Sequence, residues 1–434
     1  MVWQIKPLPS LKGAITIPGD KSISHRAVIF AALAQGQTKI RGLLASEDCL
    51  QTIKAFCQMG VKVEKNSAGE YLIDGVGQKG LQPPDQIIDC GNSGTTMRLM
   101  TGLLAAQSFY TVLTGDESLR QRPMDRVIIP LREMGAEIWA RKDNFAPLSI
   151  RGKGLKGIDY RLPVASAQVK SAILLAGLYT EDGVSLYEPC ATRDHTERML
   201  QAFNLEIRSN GKQGWLTLAG NSLELLQGRA LDIPGDISSA AYFLAGALLT
   251  PDSSLRLVNV GINPSRSGIL TVITAMGGDF SLLNQREKNC EPVADIIVNS
   301  SKLQGTVIKG ELIPRLIDEI PIIAVMASQA EGQTIIKDAA ELRVKESNRI
   351  KAVVTELSKM GVEIEELPDG MIINGPTRLK GGMVLNSYGD HRIAMSLAIA
   401  GLLADQEIGI RESESIKTSF PDFQNILGEI RGGS

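Results

Sequence analysis

Pro18-Gly19-Asp20-Lys21-Ser22-Ile23-Ser24-His25-Arg26 opens a run of small, apolar residues that ends in a β-branched stretch around Ile40. Pro-Gly-Asp is turn chemistry, and Asp is suited to capping the helix that follows. The same layout recurs in six segments: Lys21–Gly42, Asn92–Gly115, Ser166–Pro189, Asp236–Val260, Glu319–Ala339 and Asp390–Ser413. Each passes from polar residues through an apolar, helix-like stretch to a short strand. The strand centres fall near Ile40, Val112, Ser185, Arg256, Ile335 and Gly409, a spacing of roughly 70–80 residues that marks one supersecondary unit copied along the chain.

A second marker agrees. Helix-like stretches end at Met59-Gly60, Met134-Gly135, Phe203-Asn204, Met276-Gly277 and Met360-Gly361, where Gly or Asn is the expected left-handed cap and a strand follows. Each repeat therefore reads as helix, strand, capped helix and further strands, an α/β fold made of α+β repeats. Pro18-Gly19-Asp20 and the near-identical Pro234-Gly235-Asp236 precede the first and fourth repeats and divide the six into three plus three.

With 434 residues the chain is long enough for two or more domains, and 43% hydrophobic with 22% charged residues is a globular composition. Lys and Arg total 46 against 48 Asp and Glu, a formal net charge of −2 that argues against a dedicated nucleic-acid binder. Only 4% of residues are aromatic, too few for base-stacking platforms. Cys49, Cys57, Cys90, Cys190 and Cys290 are scattered without C-x-x-C spacing, so reduced thiols are expected rather than zinc or a disulfide framework. The start MVWQIKPLPS resembles neither a signal nor a transit peptide, and apolar runs such as Ala172–Tyr179 are too short to span a bilayer. These features point to a bacterial-type cytoplasm and no membrane.

The polar residues at the repeat openings exceed what capping requires. Helix openings present free N–H groups and the positive end of the dipole, which attract anions. Lys21, Ser22, Ser24 and Arg26 put an amine, two hydroxyls and a guanidinium there, an arrangement unfavourable against the dipole unless an anion offsets it. Gly91-Asn92-Ser93-Gly94-Thr95-Thr96-Met97-Arg98 can present backbone N–H groups to a phosphate or carboxylate, although it is no Walker loop and can equally be a glycine-rich turn. Arg120 and Arg122 follow in a loop ended by Pro123. Ser166 and Gln168 can orient a polar ligand or merely cap a helix; Lys170 lies one turn on, and Arg193-Asp194-His195 comes after the strand. In Arg343-Val344-Lys345-Glu346-Ser347-Asn348-Arg349, Lys345 and Arg349 share a face if helical, and Glu346 is a candidate proton carrier. A solvated charged face is the plainer reading. Asp318-Glu319 is the other acid pair, and Gly389-Asp390-His391-Arg392 and Lys417 complete the set. The histidines His25, His195 and His391 lie in these clusters without helical ligand spacing, so no metal is expected.

Taken in order, GDKSISHR, GNSGTTMR, the Arg122-Pro123-Met124 loop, Arg343–Arg349, GDHR and KTSFPDF resemble the 5-enolpyruvylshikimate-3-phosphate (EPSP) synthase family over essentially the whole chain. The resemblance implies two domains of three βαβαββ units each, closing like a clamp with the active site in the cleft between them. The chain would cross at the two Pro-Gly-Asp signals, giving an inserted domain 20–235 and a discontinuous domain of 1–19 with 236–434. It implies transfer of the enolpyruvyl group of phosphoenolpyruvate to the 5-hydroxyl of shikimate 3-phosphate, without a cofactor, in a monomer inhibited by glyphosate. By motif match, Lys21, Ser22, Arg26, Ser166, Gln168, Arg193, Asp318 and Lys345 would hold shikimate 3-phosphate. Lys21, Gly94, Arg122, Gln168, Arg349, Arg392 and Lys417 would hold phosphoenolpyruvate. Asp318 would be the general base and Glu346 its partner in proton transfer, with Lys21 completing the catalytic set. Ala167, where one branch of the family has serine, and the Arg193-Asp194-His195 segment are similar to the second bacterial class.

Two other readings make contrary demands. The enolpyruvyl transferases that act on UDP-N-acetylglucosamine usually carry a Cys in a mobile loop and a Lys-Asn start. Here Leu113–Met124 contains no Cys, only Asp116 in a Gly-Asp turn, and the start is Lys21-Ser22. A catalytically inactive anion-binding protein on the same fold would lose its acids, whereas Asp318 and Glu346 are present.

Overall fold

The computed structural model describes residues 2–210 and 214–430. The repeat openings are helices whose caps come from the residues that mark them in the sequence. Asp20 accepts from Ile23 N at 2.8 Å, Ser93 from Thr96 N at 3.1 Å, Ser166 from Val169 N at 3.4 Å, Asp236 from Ser238 N at 2.8 Å and Asp390 from Arg392 N at 2.9 Å. A side-chain cap of this kind is worth about 1 kcal/mol. At the fifth opening Glu319 does not cap, because its carboxylate is taken up by Ser238 and Arg266. The helices so started are Lys21–Leu33, Gly94–Ala105, Ala167–Gly177, Ile237–Leu249, Ile320–Gln329 and His391–Leu402.

These six helices are apolar nearly all round, which is the mark of a helix enclosed by the core. Every residue from Ile237 to Leu248 is buried, as is every residue from Ile23 to Leu33. Two of them approach so closely that a Cβ on Gly102 would lie 2.1 Å from the Ala172 carbonyl oxygen. The second helix of a repeat is amphipathic instead: Glu47–Gln58 and Arg349–Lys359 bury one face and expose the other. Such helices end at a left-handed residue, as at Gly60 (φ 88°) and Asn204 (φ 63°).

The chain forms two compact units. The inserted unit comprises Gly19–Ile233 with Glu287–Glu291, and the discontinuous unit comprises Met1–Pro18, Pro234–Arg286 and Pro292–Ser434. Two of the unit boundaries, Pro18/Gly19 and Ile233/Pro234, lie at the Pro-Gly-Asp turns, and the tip of one hairpin, Glu287–Glu291, belongs to the inserted unit. Each unit has its own hydrophobic core.

Within the inserted unit each repeat builds a four-stranded sheet of one plan, with a parallel edge strand and an antiparallel hairpin flanking a central strand. Tyr110–Thr114 is parallel to Ile88–Asp89 and antiparallel to Phe145–Arg151, which pairs with Glu137–Arg141. Val184–Tyr187 lies in the same way between Ile158–Arg161 and Trp215–Leu218. The central strand of the first repeat, Gln35–Arg41, takes its parallel partner from far along the chain, at Ala230–Asp232. The discontinuous unit does the converse, pairing Ser254–Gly261 with Lys12–Thr16. The strand before each Pro-Gly-Asp turn therefore belongs to a different sheet from the helix after it.

The sixth repeat departs from the plan. Ile408–Arg411 is parallel to Val384–Asn386, but its antiparallel neighbour is the N-terminal strand Val2–Ile5. Among the described residues no hairpin follows; the chain enters helix Phe423–Glu429, and Phe423 packs edge-on to Trp3 and Tyr242. Among the described residues no helix is long and apolar enough to cross a membrane.

Candidate active site

In the inserted unit the site residues stand at three helix openings. Lys21 Nζ lies 3.0 Å from Asp48 Oδ2, contributed by the first turn of Glu47–Gln58. Arg26 is buried. It donates through Nε to Thr196 Oγ1 and through Nη2 to Ser171 Oγ, both at 2.6 Å, and through Nη1 to the Ser22 carbonyl at 3.0 Å. Burial lowers its pKa to about 10, against the pull of Glu197 and Asp20. His25 is kept neutral by burial and then by the charges of Lys21 and Arg26. A chain of short hydrogen bonds runs from its Nδ1 to Thr52 (2.7 Å), from Thr52 to Thr96 (2.8 Å) and from Thr96 to Ser93 (2.7 Å), tying the first opening to the second.

At the second opening the missing side chain of Gly94 makes room for two guanidiniums. A Cβ there would lie 2.8 Å from Arg98 Nη1 and 3.4 Å from Arg122 Nη1. Arg98 donates to Gln168 Oε1 at 2.9 Å, Gln168 donates to Thr95 Oγ1 at 3.0 Å, and Arg122 donates to Asn92 Oδ1 at 2.6 Å. Arg98 thus draws Gly94, Arg122 and Gln168 into one group. At the third opening Ser166 caps its helix. Arg193 is half-buried on the Glu188–Asp194 loop, whose flanks are held by buried polar contacts. Lys170 meets Glu188 at 3.0 Å and Glu197 at 2.6 Å, and His195 meets Glu291 at 2.7 Å.

In the discontinuous unit the pattern changes from hydroxyls to carboxylates. Arg349, only 1% exposed, reaches Asp390 at 2.8 Å, Glu346 at 2.6 Å and Asp318 at 3.2 Å. Burial works against its charge, but Asp390, Glu346 and Asp318 outweigh it and its pKa is raised. Burial likewise favours a neutral Asp390, yet Arg349 holds its pKa below the ordinary value. Arg392 donates to the Asp318 carbonyl at 3.2 Å and lies 3.9 Å from the Asp318 carboxylate. Asp318 therefore sits between two guanidiniums. Behind it Glu319 is enclosed by Ser238 and Arg266.

The structure thus brings Asp318, Glu346, Arg349 and Arg392 together. Lys345 and Arg349 do not share a helical face. Asn348 caps the helix by accepting from Lys351 N, so the helix begins at Arg349 and leaves Lys345 extended and half-buried at the end of a 3₁₀ turn. Lys417 stands exposed on the turn Ser413–Thr418 and is not drawn into the cluster. Sequence reasoning did not assign roles to Asp48, Arg98, Asp390 or Arg266. Arg98 had a signal, since it lies four residues after Gly94 on the same helical face; Asp48 and Arg266 had none, because their partners are remote in sequence.

Solved structures share the fold. The enolpyruvyl transferase NikO from Streptomyces tendae superposes with a TM-score of 0.80 at 16% identity, over 99% of this chain and 97% of its own, a likeness of fold alone. EPSP synthase from Acinetobacter baumannii superposes with a TM-score of 0.89 at 44% identity, over 99% of this chain and 98% of its own. The architecture is that of a two-domain enolpyruvyl transferase. The family described as EPSP synthase (3-phosphoshikimate 1-carboxyvinyltransferase) matches residues 5–427. A 3-phosphoshikimate 1-carboxyvinyltransferase of Brevibacillus brevis is 54% identical over 428 residues, 98% of this chain and 99% of its own length. One from Desulforudis audaxviator is 53% identical over 432 residues, 99% of this chain and all of its own. The chain belongs to the EPSP synthase family. It transfers the enolpyruvyl group of phosphoenolpyruvate to the 5-hydroxyl of shikimate 3-phosphate and releases phosphate, a step of the shikimate pathway to aromatic amino acids.

Proposed function

We propose that residues of both units bind the substrates and that the acids of the discontinuous unit carry the proton transfer. The observation that carries the reading is the Asp318 carboxylate set between Arg349 and Arg392, with Glu346 on the same Arg349. Asp318 accepts the proton of the 5-hydroxyl as that oxygen attacks C2 of phosphoenolpyruvate. An acid protonates the methylene carbon, and Glu346 takes part in that transfer. The resulting tetrahedral adduct loses a proton from the new methyl group as its C–O bond to phosphate breaks, which restores the enol ether. Proton transfers of this kind are worth about 10²–10⁴-fold each when the groups are in place.

The substrates bring two phosphates and two carboxylates. Lys21, Ser22, Arg26, Ser166, Gln168, Arg193 and Lys345, with Asp318, hold shikimate 3-phosphate. Lys21, Gly94, Arg122, Gln168, Arg349, Arg392 and Lys417 hold phosphoenolpyruvate, and Lys21 also stabilises charge during the transfer. Arg349 supports its part by arithmetic. A guanidinium has five N–H donors, and the bonds to Asp390, Asp318 and Glu346 use four, which leaves one for a substrate oxygen. Both half-sites serve one pair of substrates, so neither half turns over alone. Glyphosate, itself an anion, competes for the phosphoenolpyruvate set. A cytoplasmic monomer is the accompanying reading, supported by five free cysteines.

Phosphate release measured with either acceptor tests the substrate and the base together. Release should require shikimate 3-phosphate and fail with UDP-N-acetylglucosamine. Release with the nucleotide sugar would move the chain to the cell-wall branch, and release with neither would leave an anion-binding protein.

A further inference from the structure

Glu356 is a buried carboxylate that the reaction does not use. It lies seven residues beyond Arg349 on the same helix, about two turns, and is 0% exposed. Its oxygens accept from Lys359 Nζ at 2.7 and 2.9 Å, from the Tyr388 hydroxyl at 2.6 Å and from Asn386 N at 3.0 Å. A buried carboxylate is tolerated only when satisfied in this way. Satisfaction explains how Glu356 is accommodated, and the segment it grips explains what it does.

That segment is the turn leading into helix His391–Leu402. Tyr388 (φ 56°) and Gly389 (φ 66°) are successive left-handed residues, a conformation that is unfavourable for a bulky side chain and persists only where surroundings impose it. Tyr388 N is tied to Asn386 Oδ1 at 2.8 Å, and Asp390 N to the Ser387 carbonyl at 3.0 Å. The Tyr388 phenol is pushed up to about 12, by burial first and then by Glu356, so it remains a donor at neutral pH. The next residue, Asp390, caps the helix at Arg392 N and receives Arg349 Nε at 2.8 Å and Ser347 Oγ at 3.0 Å. One helix therefore grips one turn at two points, through Arg349 at its start and Glu356 two turns on.

We propose that Glu356, through Tyr388 and Asn386, is a positioning residue that sets Asp390 against Arg349 and aims Arg392, and so governs affinity for phosphoenolpyruvate. This rests on the reading that Arg349 and Arg392 bind that substrate. A change in affinity that leaves the chemical step alone appears in KM with kcat preserved.

The test is steady-state kinetics of Glu356→Gln, Tyr388→Phe and Arg392→Lys, with each substrate varied in turn. Glu356→Gln should raise KM for phosphoenolpyruvate about tenfold, and Tyr388→Phe, which removes one hydrogen bond, about threefold. KM for shikimate 3-phosphate and kcat should stay within about twofold in both. A phosphoenolpyruvate KM unmoved in both variants, with Arg392→Lys raising it, overturns the positioning role alone. Equal rises in both KM values overturn it too, since general loosening would do that. If Arg392→Lys also changes nothing, the binding reading and the inference fall together. Should Glu356→Gln fail to fold, Tyr388→Phe decides, because Tyr388 is 40% exposed and loss of its hydroxyl removes no core volume.

Discussion

The two units use copies of one repeat for different electrostatic tasks. In the inserted unit, the buried Arg26 donates to hydroxyl and carbonyl oxygens, and Arg98 and Arg122 donate to amide and carbonyl oxygens among their partners, whereas the lysines Lys21 and Lys170 pair with carboxylates. In the discontinuous unit, Arg349, Arg392 and Arg266 lie against Asp318, Glu319, Glu346 and Asp390. A guanidinium satisfied by neutral oxygens keeps its charge available to an incoming phosphate. One satisfied by carboxylates is largely neutralised, but it fixes those carboxylates in place for proton transfer. The repeat supplies the same capped helix opening in both cases, and the residues just inside the cap decide which task it performs.

Replacing one buried arginine in each half tests this contrast most strongly. Arg349→Met leaves Asp390 and its neighbours as uncompensated buried charges and should cost about 3–5 kcal/mol, with activity lost as well. Arg26→Met leaves the Ser171 and Thr196 hydroxyls short of one donor and should cost about 1–3 kcal/mol. Urea unfolding of the two variants beside the parent checks the ranking. Equal costs would mean that the two halves do not differ in the way described.

Lys21→Ala comes next. One ammonium assigned to two anionic substrates should weaken both by about tenfold or more, the scale of a lost charged hydrogen bond. Calorimetry with each ligand separately is the check, and an unchanged affinity for shikimate 3-phosphate would remove Lys21 from that half of its assignment.

Gly94→Ala should have the smallest effect on the natural reaction. The new methyl group would sit 2.8 Å from Arg98 Nη1, the free end of a flexible side chain, so Arg98 yields and its bond to Gln168 loosens. Glyphosate, longer than phosphoenolpyruvate, should feel the intrusion more, with its inhibition constant rising about tenfold while KM for phosphoenolpyruvate moves little. Equal shifts in both constants would show that crowding at residue 94 does not discriminate between them.

What the sequence shows is what is local. The caps Asp20, Ser93, Ser166, Asp236 and Asp390 and the left-handed ends at Gly60 and Asn204 are legible because a helix end is decided within a few residues. The residues of the candidate site are legible as polar excess at those caps, but their partners are not. Asp48 reaches Lys21 across 27 positions and Thr196 reaches Arg26 across 170, and no periodicity encodes such pairs. The condition under which Lys345 and Arg349 would share a helical face is not met, for a local reason: Asn348 is itself a cap, so the helix begins at Arg349. The borrowed strands, Ala230–Asp232 beside Gln35–Arg41 and Val2–Ile5 beside Ile408–Arg411, follow from the sheets' need for an edge partner, and a segment's own sequence does not name that partner.

The division of labour is tested most directly by Asp318→Asn, measured twice on the same preparation, by calorimetric titration with shikimate 3-phosphate and by phosphate release. The account predicts binding within about tenfold of the parent and turnover lower by roughly two or more orders of magnitude, the scale of general acid–base loss. Near-parental turnover, or affinity falling as far as turnover, would contradict it.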